Sequence, residues 1–302
     1  MNHEVLTSSP MRAAETLQRP TFAVPEGSCD VHMHVFGPLE LYPAVAQPHY
    51  TLPDGALNYY QRVMGVLGLQ RFVIVQPSFY GTDNACLVDS LRAAGPVARG
   101  VIMIDATHPD DDLRRLDALG VRAVRLDLFK RAHEPLDEIK TYVQAMAAKV
   151  QPHAWHLQFY TPGWLVRNLI DFLATLPVDY VIDHMGYMLE EDGLTETDFA
   201  RLLELTRASR CWLKLSGPYR IAKSRGYGAV RHLAKAIVEA APRRTLWGSD
   251  WPHIPDSGRD TGELLNLMLD WAPDAEIRRL ILVDNPARLF GFATSPQRVE
   301  HR

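Results

Sequence analysis

Residues 29–38 read CDVHMHVFGP, a short apolar run that ends on two histidines, His32 and His34, and is closed by a Gly-Pro pair. Residues two apart on a strand share a face, so both imidazoles can point into the same space at the strand's carboxyl end. Seven further runs repeat the design down the chain: RFVIVQP (71–77), GVIMID (100–105), VRAVRLDL (121–128), WHLQFY (155–160), DYVIDHM (179–185), CWLKLSG (211–217) and TLWGSD (245–250). With 29–34 as the first, the chain carries eight strand candidates.

Amphipathic helical patterns separate these runs. TDNACLVDSLRAA places Thr82 or Asp83 to cap its first turn, and TETDFARLLELTRAS sets Thr195 three residues before Asp198, an acidic variant of the capping box. Crossovers long enough to hold a helix imply parallel pairing, and eight such units close into an α/β fold of the (β/α)8 TIM-barrel type. An open doubly wound sheet is the alternative, but no GxGxxG follows the first strand. No internal repeat or low-complexity segment interrupts the pattern. The expected organisation is an extended amino-terminal arm over 1–26, one catalytic barrel domain over 27–292 and a carboxyl-terminal tail over 293–302.

Composition bounds the function. With 302 residues and 47% hydrophobic content, the chain can bury a large core as one barrel or two smaller domains. A net charge of −4, drawn from 32 basic and 36 acidic residues, leaves no broad basic surface for nucleic acid or membrane, so a small-molecule partner is expected. Cys29, Cys86 and Cys211 sit singly in apolar stretches and read as core residues of a protein in a reducing compartment. Neither a secretory leader nor a membrane-length apolar run is present, and a soluble cytoplasmic protein is expected.

In a barrel, chemistry gathers where the carboxyl ends of the strands meet. That rule collects His32 and His34 from the first strand, Gln76 and Ser78 after the second, and Arg125, Asp127, Lys130 and Arg131 at or after the fourth. Tyr160 ends the fifth, His184 the sixth, Lys214 and Ser216 lie in the seventh with Arg220 beyond, and Asp250 ends the eighth. By spacing alone, His32 and His34 are equally metal ligands or hydrogen-bonded structural histidines. Arg125 and Arg131 taken singly read as solvated rim residues, but as a set with Arg220 they suit a dianion, because guanidinium forks pair two oxygens at once. Asp250 could cap a turn, yet its place after an apolar strand favours a general base. His253 reads as a supporting loop residue and His156, at the start of its strand, as structural.

DVHMHVFGP, VIDHMG and WGSDWPH resemble the first, sixth and eighth strand ends of the amidohydrolase superfamily, a likeness that covers nearly the whole chain. More closely, VIVQPSFYGTDN, VRLDLFKR, VIDHMG and LWGSDWPH are together similar to the 2-pyrone-4,6-dicarboxylate lactonases, which open an aromatic-derived cyclic ester in bacterial lignin and protocatechuate breakdown. The resemblance implies hydrolysis of a lactone carrying two carboxylates, with Asp250 as general base on water and His32, His34 and His184 polarising the carbonyl. It implies Arg125, Arg131 and Arg220 as binders of the substrate carboxylates, Ser78 and Tyr160 as assistants, and Tyr50 on the mouth. It also implies a site that works without a metal. Metal-dependent superfamily members add a histidine at the fifth strand end, or a carboxylated lysine or glutamate at the fourth, where this chain has Tyr160 at the fifth.

The alternative keeps His32, His34, His184 and Asp250 as tetrahedral zinc ligands, in a zinc-dependent lactonase, decarboxylase or hydratase acting on a related organic acid. Departures from the lactonase pattern bear on the substrate. Phe79 and Tyr80 follow Ser78, Asp127 takes an amide position and YTPGW follows the fifth strand, so a sugar-acid lactone or a muconolactone stands beside the pyrone. A barrel that only binds an organic acid has no need of Asp250 beside three imidazoles.

Overall fold

The computed structural model describes residues 9–45, 52–53, 55–189 and 194–293. Its eight strands pair in sequence order, each parallel to the next: β1 (Cys29–Met33), β2 (Arg71–Val75), β3 (Ala98–Ile102), β4 (Val121–Asp127), β5 (His156–Tyr160), β6 (Tyr180–Ile182), β7 (Cys211–Leu215) and β8 (Thr245–Trp247). The last strand returns to the first through a parallel bridge between Met33 and Trp251, where the Asp250 N–H donates to the His32 carbonyl at 2.7 Å and the His34 N–H to the Trp251 carbonyl at 2.8 Å. A TIM-type barrel is the result. Each strand begins within about two residues of its expected start, but β3, β6 and β8 stop three residues short of their expected ends, where the chain leaves the ladder.

Helices lie between the strands: α1 (Leu57–Leu67), α2 (Ala85–Ala94), α3 (Asp110–Ala118), the short α4 (Leu128–Arg131), α5 (Leu136–Val150), α6 (Gly163–Leu173), α7 (Glu196–Ala208), the short α8 (Pro218–Ala222) and α9 (Arg231–Ala240). Thr195 caps α7 with the reciprocal capping box read from its sequence. At α2 the expectation needs correction, because Asn84 holds the N-cap position. Its amide is drawn off to Met103, accepting from that N–H and donating to that carbonyl, while Asp83 accepts from Ala85 N–H at 3.0 Å and Thr82 supplies only a carbonyl.

Alternation sorts the apolar side chains into two cores. Val31, Val73, Val75, Val101, Ala123, Val181, Trp212 and Leu246 fill the barrel, whose floor is closed by Ala287, Phe290 and Phe292. Leu157, Phe159, Ile182 and Leu213 face outward, onto a larger core shared with the helices. Cys29, Cys86 and Cys211 are free and buried. The described part of the arm runs over the loop after β8, with Ser9 and Arg12 N–H donating to Pro255 and Ser257 carbonyls and Gln18 N–H to the Asp260 carboxylate. Of the proposed tail, only Ala293 lies within the described residues. No described helix is long and apolar enough to cross a membrane.

Candidate active site

The site begins with a defect in β1. Cys29 and Val31 sit inside the barrel, which by strict alternation would turn His32 outward. Instead the β1–β2 register shifts between Asp30 and Met33, and such irregularities re-aim the residues that follow. Asp30 stays behind the barrel wall and pins the shift: it accepts from His32 N–H (3.0 Å), Ser249 N–H (2.9 Å) and Tyr60 O–H (2.8 Å). His32 and His34 thereby face the interior, their ring centroids 5.1 Å apart. The seam is tight enough to require a glycine at 248, since a Cβ there would lie 2.5 Å from His32 Cβ and 2.9 Å from its backbone nitrogen.

Beneath the histidines lies a buried polar layer. The β6–β7 register sets Val181 opposite Trp212, so the next inward pair is Asp183 and Lys214. Both side chains are fully buried, with Lys214 Nζ 2.9 Å from Asp183 Oδ1 and 3.2 Å from His32 Nδ1. Gln158 donates to the other Asp183 oxygen at 3.0 Å.

At the mouth, the chain turns sharply where β6 and β8 end: His184 has φ 53° and Asp250 φ 63°, a left-handed conformation uncommon for side-chain-bearing residues and concentrated at functional sites. His184 Nδ1 meets Ser216 Oγ at 2.9 Å, over Gly217, where a Cβ would come 2.7 Å from that same nitrogen. The two Asp250 oxygens have different company. Tyr219 O–H donates to Oδ2 at 2.5 Å and Arg220 Nε donates to it as well, while Oδ1 lies 3.6 Å from His32 Nε2 and 3.5 Å from His34 Nε2 with no hydrogen bond among the described residues. Burial pushes the Asp250 carboxyl up, but Arg220 and the surrounding imidazoles outweigh it and hold the group well below the usual carboxylate range. Burial keeps the imidazoles neutral: His184 falls to about 4, and His32 and His34 are also lowered.

The arrangement is thus an ionised carboxylate with one free oxygen facing neutral imidazoles, which can take a proton from water beside groups able to stabilise an oxyanion. Donors for a metal are also present. His32, His34 and Asp250 form one group and His32, Asp183 and His184 another, each with ligand atoms within 4.8 Å of one another. The expected four-ligand set therefore resolves into two groups that share His32, with His184 drawn to the second.

Among the expected binding residues, Arg125 is buried, donates to the Gln76 carbonyl at 2.8 Å and lies over the Tyr160 ring at 4.7 Å. Tyr160 in turn meets His184 edge to face. Ser78 is committed to Asp127, donating to it at 2.5 Å, and the charge introduced by Asp127 is shared with Lys130 at 4.0 Å. The structure does not bring Arg131 into the cluster: its guanidinium pairs with Glu134 at 2.6 Å and covers the Tyr142 ring at 4.1 Å. Tyr50 lies outside the described residues. His253 supports the loop as expected, bonded to Thr261 at 2.9 Å, and His156 packs on Phe290 at the floor. Tyr219 and Asp183 escaped the sequence reading. Asp183 was visible as an inward charge level with Lys214; Tyr219, on α8 beside Arg220, carried no such signal.

Comparison with known proteins places this architecture. The family model described as Amidohydrolase matches residues 29–292. The chain is 34% identical to the 2-pyrone-4,6-dicarboxylate hydrolase of Comamonas testosteroni, covering 90% of this chain and 92% of the relative. It is 36% identical to the 4-sulfomuconolactone hydrolase of Rhizobium radiobacter, with the same coverages. A crystal structure from Agrobacterium tumefaciens, determined in its apo form, superposes with a TM-score of 0.79 at 29% identity, covering 91% of this chain and 100% of that one.

Proposed function

We propose, from the premise that this chain belongs to the amidohydrolase family, that it is a lactonase that opens the ring of a small dianionic lactone such as 2-pyrone-4,6-dicarboxylate without a metal. The observation that carries this reading is the division of Asp250, one oxygen locked by Tyr219 and Arg220 and the other free before the imidazoles. Held ionised, Asp250 takes a proton from water at Oδ1. The hydroxide so formed attacks the lactone carbonyl carbon; His32 and His184 stabilise the developing oxyanion, and His34 orients the water. Collapse of the tetrahedral species breaks the ring C–O bond, and the proton held by Asp250 passes to the departing ring oxygen. Arg125 and Arg220 face the substrate's carboxylates; Arg131 joins them by exchanging Glu134 for substrate. The cytoplasm is the compartment this reading assigns, on three unpaired cysteines.

A second reading has a specific observation behind it. By ligand type, His32, His34 and Asp250 fit a divalent ion such as zinc, and unpartnered buried atoms at His32 Nε2 and Asp250 Oδ1 are where it would bind. When bound, such an ion supplies a Lewis acid and lowers the pKa of its water. The metal-independent reading is favoured because Arg220 already places a cation on Asp250, and because β5 ends on Tyr160, which packs on Arg125. The test is loss of 2-pyrone-4,6-dicarboxylate absorbance, with 4-sulfomuconolactone and a sugar-acid lactone in parallel. Turnover of a dianionic lactone that disappears in Asp250→Asn supports the proposal, and turnover of none of the three contradicts it.

A further inference from the structure

His32 and His34 leave β1 two residues apart, yet opposite kinds of partner hold their rings. His34 Nδ1 lies 2.7 Å from the Val75 carbonyl oxygen, which can only accept. The proton of neutral His34 is therefore on Nδ1, and its Nε2 turns a lone pair toward Asp250 Oδ1. His32 Nδ1 meets Lys214 Nζ at 3.2 Å, and an ammonium can only donate. Asp183 Oδ1 approaches the same nitrogen at 3.4 Å, but it is bound to the lysine at 2.9 Å and the lysine is the nearer partner. Neutral His32 must then carry its proton on Nε2, the atom that faces Asp250 and has no partner among the described residues.

We infer that Lys214, anchored by Asp183, is a positioning residue that fixes His32 as its Nε2-protonated tautomer and so divides the site into a donor half at His32 and an acceptor half at His34 and Asp250. This rests on the lactonase reading for its purpose: the donor half meets the lactone carbonyl oxygen, and the acceptor half accepts hydrogen bonds from both hydrogens of the attacking water, one of which passes to Asp250. It explains why a lysine is kept dry in the barrel, where an ion pair gives weak stability and an apolar pair of similar volume would serve packing as well. It also bears on metal binding. A metal needs a lone pair at His32 Nε2, and this tautomer offers one only if Lys214 gives up its hydrogen bond.

The tautomers are read from two-bond proton–nitrogen spectra of the wild-type protein labelled with 15N-histidine, with His32 assigned by the loss of its signals in His32→Gln. The expected result is His32 protonated at Nε2 and His34 at Nδ1. A His32 signal protonated at Nδ1 overturns the inference, whether or not any variant folds. In Lys214→Met the His32 pattern is expected to shift, and kcat to fall about 10- to 100-fold with KM changed less than about threefold. Lys214→Gln, which retains an N–H donor, is expected to restore both. Unchanged kcat and tautomer in Lys214→Met would also overturn the inference. A failure of the lactonase reading is separable: wild-type protein would then turn over no lactone while the His32 and His34 spectra kept the expected pattern.

Discussion

Asp30 and Asp250 are both buried aspartates on the β1–β8 seam, one behind the barrel wall and one at its mouth. Every oxygen of Asp30 is engaged, by two backbone N–H groups and Tyr60, whereas Asp250 keeps Oδ1 free beside two imidazoles. Their acidities part accordingly. Burial raises the Asp30 carboxyl despite its hydrogen bonds, while Arg220 and the histidines overcome burial at Asp250 and hold it down. A buried carboxylate whose donors are all supplied fixes the backbone. One left half-satisfied by an otherwise well-paired structure is placed for a ligand or a reaction.

Exchanging the two residues' amide variants gives the largest contrast. Asp250→Asn is expected to lower kcat about 10³-fold while the protein still melts cooperatively, because general-base catalysis is lost and the side-chain shape is kept. Asp30→Asn should do the reverse: it turns an amide N–H toward a donor and costs about 1–3 kcal/mol of stability in urea titrations, with kcat per folded molecule within about threefold. Equal losses of activity would break the comparison.

Arg220→Met sharpens it. Without the guanidinium, the Asp250 carboxyl rises toward its ordinary range, so the acid limb of the kcat/KM profile moves to higher pH and KM for a dianionic lactone increases at least about tenfold. An acid limb that stays in place would mean that Arg220 does not set the charge of the base.

The histidines act on the stability of the whole fold. Burial holds His156, His184 and His253 at about 3, about 4 and about 3, against 6.5 for the free group. The unfolded chain then binds protons that the folded one refuses, so stability is full above about pH 6.5 and falls as the pH drops from there toward about 4, by up to ~1.4 kcal/mol per pH unit for each histidine. The urea midpoint should be clearly lower at pH 5 than at pH 7, and identical midpoints would contradict the burial of neutral imidazoles. Arg131→Met carries the smallest expected effect, a KM increase of about two- to fivefold with kcat unchanged, since its guanidinium must first leave Glu134.

The barrel was legible because its strands alternate strictly enough to separate an inner valine-rich core from an outer one, and because each strand ends on polar residues. The same regularity misplaces β1, where alternation carried from Cys29 and Val31 would turn His32 outward and a register shift turns it in. Asp250, His32, His34 and His184 were legible from their strand-end positions. Tyr219 was not, because its contact with Asp250 depends on how α8 folds back over the mouth, and the pairing of Arg131 with Glu134, three residues on in the same turn, was not read either. Oppositely charged side chains at one barrel level, Asp183 and Lys214, were readable in principle from the register of neighbouring strands.

The most direct test of the account is turnover of 2-pyrone-4,6-dicarboxylate by protein exhaustively treated with chelator, its residual metal quantified by elemental analysis in the same sample. The account predicts full turnover at metal contents far below one ion per chain, abolished by Asp250→Asn. Activity that vanishes on chelation and returns in proportion to added zinc would contradict it and make His32, His34 and Asp250 metal ligands.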